Sequence, residues 1–231
     1  ESDFLTELVQ TLKKTKIKLL LISFPHNPTT LTVDQVFYDN LVELAEKYNF
    51  LIVNDFAYSD IYFDGNKPPS LLSSDKSLSH SVELYSLTKG FSMAGWRVGF
   101  AVGNKDAISS VTKLKSYIDY GTFQPIQIAS TVALNELGEY PFELSSVYNE
   151  RRELIVKNLE DLNFSVQESK ATMFVWAKLP EKFRNDSLKF SLELLEKSNV
   201  AISPGVGFGK YGEGYIRIAL VENKQRIRQA M

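Results

Sequence analysis

The stretch KIKLLLISF at residues 16–24 constrains the fold more than any other part of this 231-residue chain. It is apolar almost without interruption, as in a strand that is buried on both faces of a parallel sheet. Helical spacing follows at residues 34–48, and further short apolar runs lie at 50–53, 82–85 and 97–102. This alternation of strands and helices predicts an α/β domain with a mainly parallel central sheet.

The pattern changes after Pro125, where helical spacing continues to about residue 163 with a break at 138–141. Further strands are predicted at 164–166, 171–179, 200–203 and 215–221, with helices at 104–120, 187–198 and 222–231. We therefore predict two domains. Residues 1–144 belong to a large α/β domain, and residues 145–231 form a smaller α+β domain.

The composition argues against several classes of protein. A formal net charge of −2 provides no strong field for nucleic acid or for a membrane surface, and no run of 18 apolar residues suggests a membrane span. The chain has no cysteine and two histidines, which are too few for most zinc sites, so we expect no metal. The absence of cysteine fits a reducing compartment, and we expect a cytoplasmic protein.

Both ends of the chain lie close to helical patterns. The sequence starts at Glu1 rather than at methionine and enters helical spacing at once, and it stops within the helical pattern of residues 222–231. We therefore expect the chain to be the larger part of a longer polypeptide.

Lys89 lies in the segment Ser86-Leu87-Thr88-Lys89-Gly90, directly after the apolar run at 82–85. Packing at the end of a strand can hold a lysine with its amine in a cleft. Desolvation or a neighbouring cation then makes the amine a nucleophile that forms Schiff bases. The alternative is a surface lysine on a loop. Ser86-x-x-Lys89 also fits the serine β-lactamases, but the S-D-N and K-T-G motifs of those enzymes do not occur in this sequence.

The segment at residues 207–212 spells G-x-G-x-x-G, the pattern of a dinucleotide-binding turn. That turn must lie between a strand and a helix. Here the residues that follow, 215–220, have the pattern of a strand, so we interpret the segment as a glycine-rich loop.

Three polar side chains each follow a predicted strand: Asn27, Asp55 and Lys89. Ligands of α/β sheets bind at the carboxyl ends of the strands, so we expect these residues to converge, with Tyr58 three residues beyond Asp55. A carboxylate there could pair with a protonated ring nitrogen. Alternatively, Asp55 is a turn former or helix cap and Asn27 is part of a turn.

Arg97 and Arg217 lie in the apolar segments WRVGF and YIRIAL. Arginine is costly to bury without an anionic partner, so two such residues indicate two anions, for which a phosphate and a carboxylate would fit. The chain thus offers a lysine, a carboxylate, a phenol, an amide and two arginines. Pyridoxal phosphate requires such a set, because a lysine holds its aldehyde and an acid keeps its ring nitrogen protonated.

In order and spacing, these motifs resemble those of the class I/II aminotransferases of pyridoxal-phosphate fold type I. The segments concerned are Asn27-Pro28-Thr29, Asp55-Phe56-Ala57-Tyr58, Ser86-x-x-Lys89, Arg97 and Arg217. The resemblance implies that the chain has the fold of that family, with pyridoxal 5′-phosphate as the cofactor.

The resemblance also implies a role for each residue. Lys89 forms the aldimine with the cofactor and later moves a proton, and Asp55 pairs with the ring nitrogen. Asn27 and Tyr58 hydrogen-bond the phenolic oxygen of the cofactor.

The anionic groups are assigned in the same way. Ser86 and Arg97 bind the cofactor phosphate, while Arg217 binds the α-carboxylate of the substrate with Asn27 beside it. The implied reaction is a ping-pong exchange of an amino group between an L-amino acid of glutamate, alanine or aspartate type and a 2-oxo acid.

Residues 115–125, 173–178 and 203–209 resemble the subgroup of alanine, LL-diaminopimelate and bacterial aspartate aminotransferases. That subgroup is dimeric, so a homodimer is implied, in which the loop at 120–124 reaches into the partner's site. The loop carries no arginine, which counts against strict aspartate specificity.

The sequence departs from the family pattern in two ways. In the motif N-P-x-N-P-T-G, Phe24 replaces the first asparagine and Thr30 replaces the glycine. The family's N-terminal glycine-rich phosphate loop and the aromatic residue that stacks on the cofactor do not precede Glu1, so we expect these 231 residues alone to bind the cofactor poorly.

Two other functions fit the same constellation. One is a pyridoxal-phosphate-dependent C–S β-lyase. The other is the aminotransferase-like ligand domain of a transcription regulator, which would require a basic DNA-binding module outside these residues.

Overall fold

A computed structural model describes residues 2–231. Its helices are α1 (Ser2–Lys14), α2 (Gln35–Tyr48), α3 (Leu87–Gly90), α4 (Lys105–Ile118), α5 (Gln124–Glu136), α6 (Tyr140–Asp161), α7 (Ser187–Ser198) and α8 (Lys224–Ala230). Its strands are β1 (Leu19–Ser23), β2 (Leu51–Asp55), β3 (Ser81–Ser86), β4 (Gly99–Gly103), β5 (Ser165–Val166), β6 (Phe174–Lys178), β7 (Ser203–Pro204) and β8 (Tyr215–Ala219).

Contacts divide the chain into two compact units. The first unit contains residues 2–25, 32–60 and 67–141, and the second contains residues 26–31, 61–66 and 142–231. The sequence analysis placed the boundary at 144/145 and assigned 26–31 and 61–66 to the large domain. The segment 61–66 joins the second unit because Phe63 N donates to Lys170 O at 2.9 Å and Thr172 N donates to Ile61 O at 2.9 Å.

The sheet of the first unit has the order β1-β2-β3-β4. The pairs β1–β2 and β2–β3 are parallel, while β3–β4 is antiparallel. Helix α2, which connects β1 to β2, begins at Asp34, whose side chain accepts a hydrogen bond from Phe37 N at 2.8 Å. The predicted mainly parallel α/β sheet is confirmed.

The core of the first unit lies on one face of this sheet. Its buried members include Leu8, Leu12, Ile22, Phe37, Leu41 and Ile52. Successive side chains of a strand point to opposite faces, so Leu19 and Leu21 of β1 point away from this core and are 50% and 65% exposed. The prediction that this strand is buried on both faces is therefore wrong for this structure.

The second unit contains an antiparallel sheet of order β5-β6-β8-β7. Its central strand β6 is buried along most of its length, and Ile155 and Leu159 of α6 are buried in the same unit. The predicted α+β character of this part of the chain is confirmed.

Several predicted elements are shorter in the structure. The strand predicted at 97–102 begins only at Gly99, because Arg97 adopts a left-handed backbone conformation with φ of 52°. The strand predicted at 171–179 narrows to Phe174–Lys178, and the strand predicted at 200–203 becomes Ser203–Pro204. The helical stretch predicted at 127–163 forms two helices, α5 and α6, and residues 137–139 separate them close to the break predicted at 138–141.

Within residues 2–231, no helix combines the length and the apolar composition that crossing a membrane requires. The same residues contain no group of three or more histidine, cysteine, aspartate or glutamate side chains that could hold a metal ion.

Candidate functional site

A tight turn follows β2 and carries two of the predicted site residues. Asp55 is the last residue of the strand, and its exposed carboxylate accepts a hydrogen bond from Ala57 N at 3.2 Å. The turn is attached to β3, because Phe56 N donates to Leu84 O at 2.9 Å. Tyr58, two residues beyond Phe56 in the same turn, has a buried side chain.

Lys89 lies on the one-turn helix α3, which directly continues β3. Ser86 caps this helix, since its hydroxyl oxygen accepts from Thr88 N at 3.2 Å, and the fully buried Leu87 anchors it. The Lys89 side chain is half-buried, and its Nζ atom lies 5.8 Å from the centroid of the Tyr58 ring. The structure therefore brings the predicted nucleophile and the predicted phenol together.

Arg97 occupies a different environment from the one that the sequence suggested. It is exposed, lies just before β4 rather than within a strand, and donates from Nη1 to Ala94 O at 3.2 Å. The register of β3 and β4 pairs Ser86 with Gly99, two residues beyond Arg97. The two predicted phosphate ligands thus belong to the same end of one antiparallel strand pair.

A buried polar network supports the strand ends beneath these residues, and sequence reasoning missed it. The Glu83 carboxylate accepts from Leu71 N at 2.7 Å, from Ser70 Oγ at 2.6 Å and from Asn54 Nδ2 at 3.2 Å. Asn54 Nδ2 also donates to the Tyr38 hydroxyl at 3.1 Å. Burial raises the pKa of Tyr38 well above its ordinary value, and the charge of Glu83 raises it further, against the opposing hydrogen bond from Asn54.

In the second unit, Arg217 lies at the centre of β8. The central carbon of its guanidinium lies 4.1 Å from the ring centroid of Phe174 and 4.4 Å from that of Phe208. Nη1 donates to Asn27 Oδ1 at 2.7 Å, and Nη2 donates to Ser203 Oγ at 3.4 Å. Aromatic stacking and side-chain hydrogen bonds together hold a half-buried planar cation in one orientation.

The loop at 26–31 presents Asn27 to Arg217, and it contains an unusual backbone position. Thr30, which stands where the family has glycine, adopts φ of 62° and is 1% exposed. Its N–H donates to His26 O at 2.8 Å, and the His26 ring nitrogen Nδ1 lies 2.6 Å from Thr29 Oγ1. Glycine adopts this left-handed conformation without the steric cost that the Cβ atom of Thr30 incurs.

The predicted site residues therefore fall into two groups. Those of the first unit are Asp55, Tyr58, Ser86, Lys89 and Arg97, and those of the second unit are Asn27 and Arg217. Within each group, the structure brings one pair into contact: Lys89 with Tyr58, and Arg217 with Asn27.

A lysine beside a phenol, beyond the strand ends of a mainly parallel sheet, is an arrangement typical of pyridoxal-phosphate enzymes. The sequence model for "Aminotransferase class I and II" matches residues 3–231. The chain belongs to this family.

Relatives with assigned names agree with this family. The chain is 48% identical over 212 residues to the putative aminotransferase AatC of Rhizobium meliloti, covering 91% of the chain and 52% of that protein. It is 42% identical to the glutamate-pyruvate aminotransferase AlaC of Escherichia coli, covering 99% of the chain and 56% of AlaC. An aminotransferase structure from Staphylococcus aureus superposes with a TM-score of 0.89 at 34% identity, covering 96% of the chain and 57% of that structure. The chain thus spans little more than half the length of these relatives.

Pyridoxal 5′-phosphate is the cofactor of this family and hence of this chain. The donor set of the first unit fits the cofactor: a half-buried amine beside a phenol, an exposed carboxylate at a neighbouring strand end, and a hydroxyl that caps α3. The cofactor has an aldehyde for the amine, a phenolic oxygen for the phenol, a ring nitrogen for the carboxylate and a phosphate for the hydroxyl.

Proposed function

We propose that this chain carries the cofactor lysine and the carboxylate-binding arginine of a transaminase that exchanges an amino group between an L-amino acid and a 2-oxo acid in two half-reactions. The observation that carries this proposal is the pairing of Lys89 with Tyr58 on two neighbouring strand ends. When bound, pyridoxal phosphate supplies an aldehyde that accepts the amino group and a ring that absorbs carbanion charge.

The first unit provides the residues that would hold the cofactor. Lys89 Nζ is the nucleophile that binds it, and the same nitrogen takes and returns the α-proton of the substrate. Asp55 would hold the ring nitrogen in its protonated form, and Tyr58 would donate to the phenolic oxygen. Ser86 and Arg97 would bind the phosphate, which the exposure of Arg97 permits.

The second unit provides the residues for the substrate. A guanidinium presents paired N–H donors that match a carboxylate, and stacking between two rings fixes the plane of Arg217 before any ligand arrives. We assign Arg217 to the α-carboxylate. The Asn27 amide, which accepts from Arg217, would contact both substrate and cofactor.

The names of the relatives support small amino donors and acceptors. One relative is a glutamate-pyruvate aminotransferase, and another, at 42% identity, is the LL-diaminopimelate aminotransferase of Natranaerobius thermophilus. We propose glutamate with pyruvate as the first pair to test. The lack of arginine in the loop at 120–124 argues against an aspartate-specific enzyme.

We also propose a homodimer. The support comes from α4 and the loop that follows it, where large apolar side chains are exposed to solvent: Val111, Leu114, Tyr117, Ile118, Tyr120 and Phe123. Contiguous apolar surface of this kind marks a protein interface. Sedimentation velocity tests this, and a monomer at micromolar concentration would contradict it.

The absence of cysteine supports a cytoplasmic location, which cell fractionation tests.

The function is tested by absorption spectroscopy of the full-length protein with pyridoxal phosphate, before and after glutamate and then pyruvate. We expect glutamate to abolish the visible band of the bound cofactor and pyruvate to restore it. Lys89→Ala should abolish the visible band. It should also abolish the increase in protein mass, due to attached cofactor, that borohydride reduction makes permanent. Lys105→Ala, a control on α4, should change neither the band nor this mass increase. Release of pyruvate and ammonia from one amino acid would instead indicate a β-lyase, and a band that ignores amino acids would indicate a ligand domain.

A further inference from the structure

Asp60 is a carboxylate that the proposed function does not use. It lies at the end of the turn that carries Tyr58, and it accepts a short hydrogen bond from the hydroxyl of Tyr85. Tyr85 is the residue before Ser86 in β3, so this bond joins the turn after β2 to the strand that leads into the Lys89 helix.

Asp60 also packs directly against the residue that follows Lys89. A Cβ atom placed on Gly90 would lie 2.5 Å from Asp60 Oδ2 and 2.9 Å from Asp60 Cβ, so only glycine leaves room for this side chain. Gly90 is buried. Asp60 therefore touches α3 immediately beside the lysine, in addition to its bond to the strand.

Tyr85 is well suited to be a permanent donor to this carboxylate. Its ring stacks on Phe100, with the centroids 4.7 Å apart and an angle of 25° between the planes. Burial raises the pKa of the Tyr85 hydroxyl far above its ordinary value, and the hydrogen bond to Asp60 and the charge of Asp60 raise it further. The hydroxyl therefore keeps its proton at neutral and moderately alkaline pH.

We propose that Asp60 is a positioning residue, which fixes the turn bearing Tyr58 against the helix bearing Lys89 and so sets the distance between the lysine amine and the phenol. The proposal rests on the proposed function. Asp60 acts through its contacts with Tyr85 and Gly90. A displacement of about 1 Å between reacting groups can cost roughly 100-fold in rate, so a residue that fixes this spacing matters to turnover.

The test compares Asp60→Ala and Tyr85→Phe with the wild type and with Asp64→Asn. The control Asp64→Asn also removes a carboxylate, from a position four residues further on that pairs with Arg152 instead. For each protein loaded with pyridoxal phosphate, the pH midpoint of the cofactor's visible absorbance, kcat and the KM for glutamate are measured, together with thermal unfolding.

We expect Asp60→Ala and Tyr85→Phe each to move the absorbance midpoint by about 0.5 pH unit or more, since each removes the same fixed contact. We expect kcat to fall about 10- to 100-fold with little change in KM. The double variant should resemble Asp60→Ala, because the contact is already lost in either single variant. Asp64→Asn should leave the midpoint and kcat unchanged.

Two results would overturn the proposal. One is that the variants lower the unfolding temperature but keep the wild-type midpoint and kcat, which would make the contact merely structural. The other is a shift of equal size in Asp64→Asn, which would make it a general charge effect. If Asp60→Ala does not fold, Tyr85→Phe and Asp60→Asn, which change one or two atoms, decide the question.

Failure of the proposed function gives a distinct outcome. In that case wild-type protein shows no lysine-dependent band, and Lys89→Ala is indistinguishable from it, so there is nothing for Asp60 to position. If the wild type has the band and turns over glutamate while the Asp60 variants match it, only the positioning role is wrong.

Discussion

Replacing Thr30 by glycine should make this protein more stable, although it removes a buried side chain. Thr30 is 1% exposed and has φ of 62°, a conformation that β-branched residues rarely adopt. Its hydroxyl oxygen is buried without a hydrogen-bond partner among the described residues. Its backbone N–H donates to His26 O, and glycine keeps that bond.

The expected gain follows from four contributions. The left-handed conformation costs a residue with a Cβ atom about 1–2 kcal/mol, and the unpaired hydroxyl costs about 1–3 kcal/mol. Against these, glycine loses about 0.5–1 kcal/mol more chain entropy on folding, and the lost methyl group removes about 0.8 kcal/mol of burial. Thr30→Gly should therefore raise the free energy of unfolding by about 2 kcal/mol, since these contributions sum to a range of about 0–4 kcal/mol.

Urea unfolding of the wild type, Thr30→Gly and Thr30→Ala separates these contributions, because alanine removes the hydroxyl but keeps the strained Cβ. We expect Thr30→Ala to raise the free energy of unfolding by about 1 kcal/mol, because it removes the unpaired hydroxyl and loses the burial of one methyl group, with equal m-values throughout. The control is Asn163→Gly, at φ of 63°, where asparagine tolerates the left-handed region and the gain should be small. If Thr30→Gly is less stable than Thr30→Ala, the reasoning from backbone strain is wrong.

The remaining predictions concern Arg217 and His26. Arg217→Ala should weaken glutamate binding by about 2–5 kcal/mol while the cofactor stays bound, and Arg184→Ala should not, as measured by spectral titration of the loaded protein; unchanged affinity would refute the carboxylate role. Burial lowers the pKa of His26 below its ordinary value of 6.5, so its contribution to stability is present above pH 6.5 and is lost as the pH falls through the lowered pKa. His26→Gln should therefore lose less stability than the wild type between pH 7 and pH 5 in urea titrations; an equal loss in the two proteins would contradict this.

The residues at strand ends were predictable because their signals are local. Lys89 follows an apolar run and a serine that caps its helix, and both features lie within a few positions of it. Asp55 is recognisable in the same way, as the polar residue that ends a short apolar run. Local sequence determines such features, since strand termini and helix caps depend on neighbouring residues.

Arg97 shows where local patterns mislead. Its apolar neighbours suggested a buried strand, but the residue turns into the left-handed region and its side chain is exposed. Leu19 and Leu21 are a second case, because their apolar character predicted burial on a face where they remain exposed. In both cases hydrophobic sequence alone does not specify which face of an element is covered.

The sequence by itself determined the family and the mainly parallel sheet. Only the tertiary structure decided the contacts between distant polar side chains: Asn54 with Glu83 across 29 positions of sequence, Tyr85 with Asp60 across 25, and Arg217 with Asn27 across 190. Such pairs depend on strand register and on packing between segments distant in the chain. Hydrophobic periodicity indicates which residues of an element face a core. It does not indicate which polar side chains from distant segments will form hydrogen bonds with each other.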